Sequence, residues 1–317
     1  MLILRDDDAT PSTAPSVVAL GVFDGLHRGH QAVIELVVDL ATTHHALATV
    51  VTFDPLPAMI LAPTKAPRLL ATLEQRLEGL SVLGVDQVRV LTFTKELSRE
   101  SATDFIDRVL VSELHACCVV VGEDFHFGHD REGSVGLLRE LGPAKGFDVV
   151  AAPLFGEGDR WSSTAVRRAL EAGDLQGAAR VLGRPFSLRG VVEHGDQRGE
   201  ELGFPTANLK LSPTQELPAE GVYAGAVRVE GQWWPAAISL GTRPQFYKDG
   251  DLLVEVHVVG YDGDLYGQTL DVIFLERLRA QTTFRDLEDL IAQITRDVAK
   301  TREIFDGLSS QGLQLLE

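Results

Sequence analysis

Near-continuous apolar runs recur along the first 180 or so residues: SVVALGVF (16–23), ALATVVTF (46–53), QVRVLTF (87–93), ACCVVVG (116–122) and FDVVAAPLF (147–155). Unbroken runs of this kind fit parallel strands covered on both faces, whereas a half-exposed strand alternates apolar and polar positions. Between the runs lie segments of helical pattern, such as GHQAVIELVVDLATTH and SATDFIDRVLVSEL. The alternation predicts an α/β fold with a doubly wound parallel sheet. Ligands of such sheets sit beyond the carboxyl ends of the strands.

The pattern changes near VLGRPF (181–186). Shorter, glycine-punctuated runs follow: FSLRGVVEHG, GVYAGAVRV, WWPAAISLG, LLVEVHVVGY and TLDVIFLERL. Turn signals such as Glu230-Gly231 and Asp262-Gly263 flank them, which predicts a small antiparallel β-barrel. Near the end, Leu287, Leu290, Ile291, Ile294 and Val298 follow helical spacing and predict a C-terminal helix packed on the barrel. These readings place a domain boundary near residue 183, giving domains 1–183 and 184–317.

At 317 residues with 44% hydrophobic composition, the chain is long enough for two buried cores. Its formal charge of −17 argues against nucleic-acid backbones and anionic membranes as partners. Polyphosphate binding would therefore need local groups: oriented N–H groups, a few Arg or His, and a metal ion. Cys117 and Cys118 are adjacent in a strand pattern, so they point to opposite faces and read as small buried thiols. The N-terminal MLILRDDDATPSTAPS lacks the apolar core of a signal peptide, and the expected location is the cytoplasm.

Directly after SVVAL (16–20) stands GVFDGLHRGH (21–30). It has neither the lysine of a P-loop nor the spacing of a dinucleotide fingerprint. Gly21 and Gly25 allow the backbone close approach to a ligand, and Phe23 and Asp24 between them count with these glycines as expected ATP/phosphate-binding positions. His27 and His30 fall at the mouth of the next helix, where its positive end favours an anion. A pair three apart also suits a metal site or a plain turn. A second helix start, WSSTAVRRAL (161–170), sets Ser163 and Thr164 at a cap and Arg167 in the first turns. By itself it is equally a simple cap with surface arginines.

Together the histidine turn and the Ser-Ser-Thr-x-x-Arg helix resemble the HxGH-type nucleotidylyltransferases, and more narrowly the adenylylating module of prokaryotic FAD synthetases. TFDP (52–55), FTKELSRESATDFI (93–106) and VGEDFHFGHDREG (121–133) fit the same module. The resemblance implies attack of a flavin phosphate on the α-phosphorus of ATP, with pyrophosphate leaving. It implies that His27 and His30 hold ATP phosphates, with Ser163, Thr164 and Arg167 on the triphosphate. Asp54, Asp124 and Phe125 would line the flavin side. Mg²⁺ is expected with the nucleotide, and no tightly bound prosthetic group.

In the second domain HGDQRGEELGFPTANL (194–209) spaces Gly195, Gly199 and Gly203 four apart ahead of Pro205, Thr206 and Asn208. Glycines at that spacing outside a helix suit a loop folded over a ligand, or equally a glycine-rich hairpin. The string is similar to the GxxxGxxxGxPTAN signature of riboflavin kinases, and GVYAG, ISLGTRP and VEVHVVGYDGDLYG follow in that family's order. The resemblance implies that the loop glycines and Pro205 surround ATP. Thr206 and Asn208 would offer oxygens to Mg²⁺, and Glu255 would deprotonate the ribityl hydroxyl of the bound flavin. Read alone, Glu255 between two valines is also a solvent-facing position.

The resemblance runs from about residue 16 to 306 and implies a bifunctional enzyme acting on riboflavin, FMN, FAD, ATP, ADP and pyrophosphate. Departures from the family pattern stand at Leu56, His126, Glu200, Arg243 and Gln245, and Arg243 would reshape the flavin pocket. They leave three alternatives in view: a kinase-impaired second domain that still binds flavin, a paralogue acting on a flavin analogue, and a non-catalytic flavin or nucleotide sensor. The oligomeric state is open.

Overall fold

A computed structural model of the chain describes residues 1–6, 13–153, 155–157, 159–195, 199, 202–242 and 252–308. The chain forms two compact units, Met1–Ser163 and Thr164–Glu317.

The principal elements of the first unit are β1 (Leu2–Leu4), β2 (Ser16–Leu20), α1 (Arg28–His44), β3 (Leu47–Asp54), α2 (Leu73–Val82) and β4 (Gln87–Thr92). They are followed by α3 (Ala102–Phe105), which runs on as a π-helical stretch over Ile106–Glu113, then β5 (Ala116–Gly122), α4 (Val135–Lys145) and β6 (Asp148–Ala152). The six strands make one parallel sheet in the order β1-β4-β3-β2-β5-β6. The chain winds outward from β2 to β4 and then returns to β5 on the other side of β2. The topological switch point therefore lies between β2 and β5.

Each apolar run feeds two cores because successive side chains leave opposite faces of the sheet. Val17, Ala19, Val50 and Val88 pack with Ile34 and Val37 of α1 and Leu77 of α2. Val18, Leu20, Val51 and Val119 pack on the other face with Ile106, Leu110 and Leu138. All five runs read as parallel strands occur as such. Edge strand β1 adds a sixth that its three residues were too few to announce. Cys118 is buried, and desolvation pushes its thiol up to about 11. Cys117 is only half-buried, and its Sγ donates to the Ser16 carbonyl at 3.4 Å.

The second unit begins within α5 (Ser163–Glu171) and continues through α6 (Leu175–Leu182), β7 (Phe186–Glu193), β8 (Ala207–Lys210), β9 (Gly221–Val229), β10 (Gln232–Thr242), β11 (Leu252–Val258), β12 (Thr269–Arg279) and α7 (Leu287–Asp306). Its six strands close into an antiparallel barrel, β7-β8-β11-β10-β9-β12. The β9–β10 hairpin turns on Glu230 (φ 50°) and Gly231 (φ 81°), the two left-handed residues of a type I′ turn. Leu188, Tyr223, Ile238, Val256 and Phe274 fill the barrel interior.

Composition put the domain boundary at residue 183, where the β-rich pattern begins. By compactness α6 goes with the barrel, because it packs on β7 and β12. Helix α7 packs on β9 and β10 as its stripe predicts, with two departures. Leu287, in its first turn, is 55% exposed, and the buried residues of the helix are polar, Asp297 and Thr301. Among the described residues no helix is long and apolar enough to cross a membrane.

Candidate active sites

The first site is built where β2 ends. Phe23 (φ 53°), Gly25 (φ 79°) and Leu26 (φ 42°) take left-handed conformations, so the chain reverses sharply before α1. Phe23 and Leu26 are buried in the core. Asp24 is also buried, and its carboxylate accepts from the Leu70 N–H at 3.0 and 3.2 Å and from the Ala71 N–H at 3.2 Å. Gly21 is tight as well, since a Cβ there would meet the Phe23 ring at 2.9 Å. The side chains of Phe23 and Asp24 thus turn inward and shape the backbone that carries the histidines.

His27 is the N-cap of α1, and its Nδ1 accepts from the His30 N–H at 3.3 Å. In the neutral ring the hydrogen is then on Nε2. The His30 ring stacks on that of His27 with centroids 3.6 Å apart. Its Nδ1 is enclosed with no hydrogen-bond partner among the described residues, and burial followed by repulsion from His27 holds its pKa well below the imidazole value of 6.5. Two stacked imidazoles at the positive end of a helix, one of them with a buried ring nitrogen unpartnered among the described residues, have the make-up of an anion site. Ser163 is brought to the same turn: its Oγ donates to the Asp24 carbonyl at 2.9 Å. Arg28, the first residue of α1, lies 4.8 Å from the centroid of the Trp161 ring.

Around the neighbouring strand ends, Asp54 closes β3 and is partly exposed, 3.4 Å from Arg76 Nη2. Asp124 Oδ2 pairs with Arg160 at 2.7 Å, and that hydrogen bond lowers the Asp124 pKa below the usual carboxylate range. Phe125 stacks on Phe127 with centroids 5.8 Å apart. Leu56 is buried at the N-cap of a short helix over Pro57–Leu61. His126 is exposed, and its Nδ1 lies 2.9 Å from the Asp124 carbonyl. Thr164 and Arg167 fall in the second unit. Thr164 is exposed, and Arg167 Nε lies 3.9 Å from Glu216.

The second site lies on the outside of the barrel. Residues directly opposite in a ladder share a face, so the registers Asn208↔Glu255 and Ser239↔Glu255 set Asn208, Glu255 and Ser239 in one row across three strands. Val254 and Val256 on either side of Glu255 are buried in the interior. Ser239 Oγ accepts from Gln281 Nε2 at 3.1 Å.

The three loop glycines each answer a geometric demand. A Cβ on Gly195 would lie 2.1 Å from the Asn208 amide nitrogen, and one on Gly199 2.4 Å from the Phe204 carbonyl oxygen. Gly203 has φ 82°. The loop is closed by the Phe204 N–H donating to the Gly199 carbonyl at 2.8 Å. Pro205 and Thr206 follow and lead into β8, so this loop delivers Asn208 to the row occupied by Glu255. Glu200, Arg243 and Gln245 lie outside the described residues.

Four residues that touch these sites had no place in the sequence reading: Arg76, Ser239, Gln281 and His257. Arg76 left a trace, since it shares the buried face of α2 with Leu73, Leu77 and Leu80. An arginine in an apolar stripe calls for buried acceptors. Its Nη1 donates to the Val22 carbonyl at 3.0 Å, to Thr52 Oγ1 at 3.2 Å and to the Phe53 carbonyl at 3.3 Å.

Comparison with known proteins divides along the same line. A family model described as FAD synthetase matches residues 9–165, and one described as riboflavin kinase matches residues 182–305. The chain is 41% identical to the bifunctional riboflavin kinase/FMN adenylyltransferase of Pseudomonas fluorescens, over 93% of this chain and 94% of that protein. It is 39% identical to the Escherichia coli protein of the same name, over 91% of this chain and 92% of that one. Among solved structures, a chain from Streptococcus pneumoniae named a macrolide-efflux protein aligns with a TM-score of 0.85 at 30% identity. That alignment covers 95% of this chain and 99% of the other.

Proposed function

The chain belongs to the family of bifunctional riboflavin kinase/FMN adenylyltransferases, and we propose that its two activities use two separate sets of residues. It is an ATP-dependent transferase that phosphorylates riboflavin to FMN and adenylylates FMN to FAD. The sets are the histidine turn with the start of α5, and the outer row of the barrel with its glycine loop.

In adenylylation an oxygen of the FMN phosphate attacks the α-phosphorus of ATP. A new P–O bond forms, the bond from the α-phosphorus to the bridging oxygen breaks, and pyrophosphate leaves. The work of the protein is positioning and charge stabilisation. The His27 Nε2–H and the end of α1 face developing negative charge, with His30 stacked behind. Ser163, bonded to the histidine turn, takes the triphosphate, while Gly21 and Gly25 let it approach the backbone. Asp24 and Phe23 serve by shaping that turn. Asp54, Asp124 and Phe125 take the flavin side.

In phosphorylation Glu255 accepts the proton of the ribityl hydroxyl, whose oxygen attacks the γ-phosphorus of ATP and releases ADP. The residues present fit Mg²⁺ carried in by the nucleotide. Thr206 and Asn208 offer neutral oxygens, and the missing Cβ of Gly195 leaves room at the Asn208 amide. Among the described residues no cluster of three His, Cys, Asp or Glu side chains stands ready to hold a resident ion. When bound, the cation offsets charge on the phosphates, which the glycine loop and Pro205 enclose.

The observation that carries this reading is the register that sets Asn208 opposite Glu255, beside the closed glycine loop. Product analysis by chromatography tests it. With riboflavin and ATP the wild-type chain forms FMN and then FAD. Glu255→Gln forms no FMN from riboflavin yet still makes FAD from supplied FMN, and His30→Ala shows the reverse. Loss of both products in either variant would refute the separation of sites.

A further inference from the structure

On β11 the side chains alternate, with Val254, Val256 and Val258 buried and Glu255 and His257 on the other face. The ladder between β8 and β11 ends at Ala207↔Val256, so His257 stands where the chain leaves the ladder toward Thr206, Pro205 and Phe204. Its Nδ1 lies 2.8 Å from the Pro205 carbonyl oxygen. A carbonyl only accepts, so Nδ1 carries the hydrogen and donates it. The same ring meets Phe204 edge-on, centroids 5.7 Å apart at 80°. On its other side Phe204 is tied through its N–H to Gly199. The segment Phe204-Pro205 is therefore gripped twice, by the glycine loop and by a side chain two residues along the strand from Glu255.

We propose that His257 is a positioning residue for riboflavin phosphorylation, holding the Phe204-Pro205 segment so that Thr206 and Asn208 face Glu255. This rests on the reading of Thr206, Asn208 and Glu255 as the kinase site. One strand then supplies both the base and the post that sets the loop against it. A shift of the loop by a fraction of an ångström changes where the γ-phosphorus lies relative to the attacking oxygen.

Two variants of the full chain separate the hydrogen bond from the ring contact. His257→Phe keeps a ring against Phe204 and removes the donor, whereas His257→Asn restores an N–H near the place of Nδ1. The expected result for His257→Phe is a roughly tenfold loss of kcat/KM for riboflavin phosphorylation, carried by a higher KM for ATP. ADP binding followed by calorimetry weakens by a similar factor. His257→Asn stays within about threefold of wild type on both measures. FMN adenylylation is unchanged in both variants and reports that the chain is folded. Wild-type phosphorylation and ADP affinity in His257→Phe overturn the proposal, as does a His257→Asn variant as impaired as His257→Phe. Asn208→Ala and Glu255→Gln are measured alongside. If both phosphorylate riboflavin normally, the site reading falls and the proposal with it. If both fail while His257→Phe is normal, the proposal alone falls.

Discussion

The imidazole rings of His27 and His30 are stacked 20° from parallel with centroids 3.6 Å apart, and the His27 ring caps the helix on which His30 rides. Protonating both would set two positive charges face to face at the positive end of a helix. His30 accordingly has a pKa well below 6.5, first by burial and second by His27. The unfolded chain takes up a proton as pH falls through about 6.5 while the folded chain does not. Stability from this group is complete above that pH and declines below it, by up to about 1.4 kcal/mol per pH unit, until the depressed folded value is reached. Urea unfolding of wild type and His30→Gln from pH 7.5 down to about pH 5 measures this. The wild type should lose stability relative to the variant on the acid side, and parallel curves would refute the assignment.

Arg76 is a second device under the same site. Its side chain is 1% exposed and it joins the Val22 carbonyl, on the way into the histidine turn, to Thr52, Phe53 and Asp54 of β3. Burial lowers its pKa, and Asp24 and Asp54 oppose that shift. Removing the cation takes the buried donor from the Val22 and Phe53 carbonyls and the Thr52 hydroxyl, and withdraws a positive charge from beside Asp24 and Asp54. Arg76→Met should destabilise the first unit by about 3–5 kcal/mol, and Arg76→Lys by less, because one ammonium cannot span the same acceptors. Chemical unfolding followed by Trp161 fluorescence, with Trp233 and Trp234 replaced by Phe, gives the measurement. Equal stability of wild type and Arg76→Met would show that the guanidinium does not organise the turn.

The strands were legible because burial on both faces or one writes directly into the run of apolar residues. The turn after β2 and the glycine loop were legible as backbone features because few residue types tolerate such geometry, while their assignment to phosphate chemistry came from the family resemblance. What escaped depends on which strand lies beside which. Ser239, Gln281 and His257 stand near Glu255 only through the barrel register, and nothing local to ISLGT or to RAQTT announces that neighbourhood. Side-chain direction escaped as well. Asp24 sits among ligand-type residues in the sequence, yet it folds under the turn to satisfy the Leu70 and Ala71 N–H groups. Leu287 follows the helical stripe, but it lies in the first turn of α7 and stays exposed.

Glycines of the barrel unit should divide sharply by what a methyl group meets. At Gly195 it would lie 2.1 Å from the Asn208 amide nitrogen, and at Gly231, with φ 81°, nothing lies within 4 Å. Gly195→Ala should therefore displace Asn208 and lower riboflavin phosphorylation by more than about tenfold, with FAD formation from FMN unchanged. Gly231→Ala only strains the hairpin turn, at about 1 kcal/mol of stability and with both activities retained. Steady-state rates for each half-reaction, paired with thermal melts, distinguish the two. A fully active Gly195→Ala would mean that Asn208 has no role that depends on its position.

Helix α7 is fastened by polar groups, and its two buried residues should respond in opposite ways. Asp297 accepts from Arg279 Nε at 3.0 Å and Nη2 at 2.9 Å, and from Gln293 Nε2 at 2.8 Å. Thr301, one turn further along, is fully buried, and its hydroxyl has no hydrogen-bond partner among the described residues. Asp297→Ala leaves the largely buried Arg279 guanidinium without its carboxylate, holding only the Ala280 carbonyl and Thr282 hydroxyl through Nη1, and should destabilise the second unit by about 3 kcal/mol. Thr301→Val exchanges an unsatisfied hydroxyl for a methyl group of the same shape, so it should be neutral or stabilise by up to about 1 kcal/mol. Urea unfolding monitored through Trp233 and Trp234, with Trp161 replaced by Phe, reads both changes in the barrel unit. If Thr301→Val instead falls by more than about 1 kcal/mol, its hydroxyl is satisfied by an ordered water and belongs to the fastening.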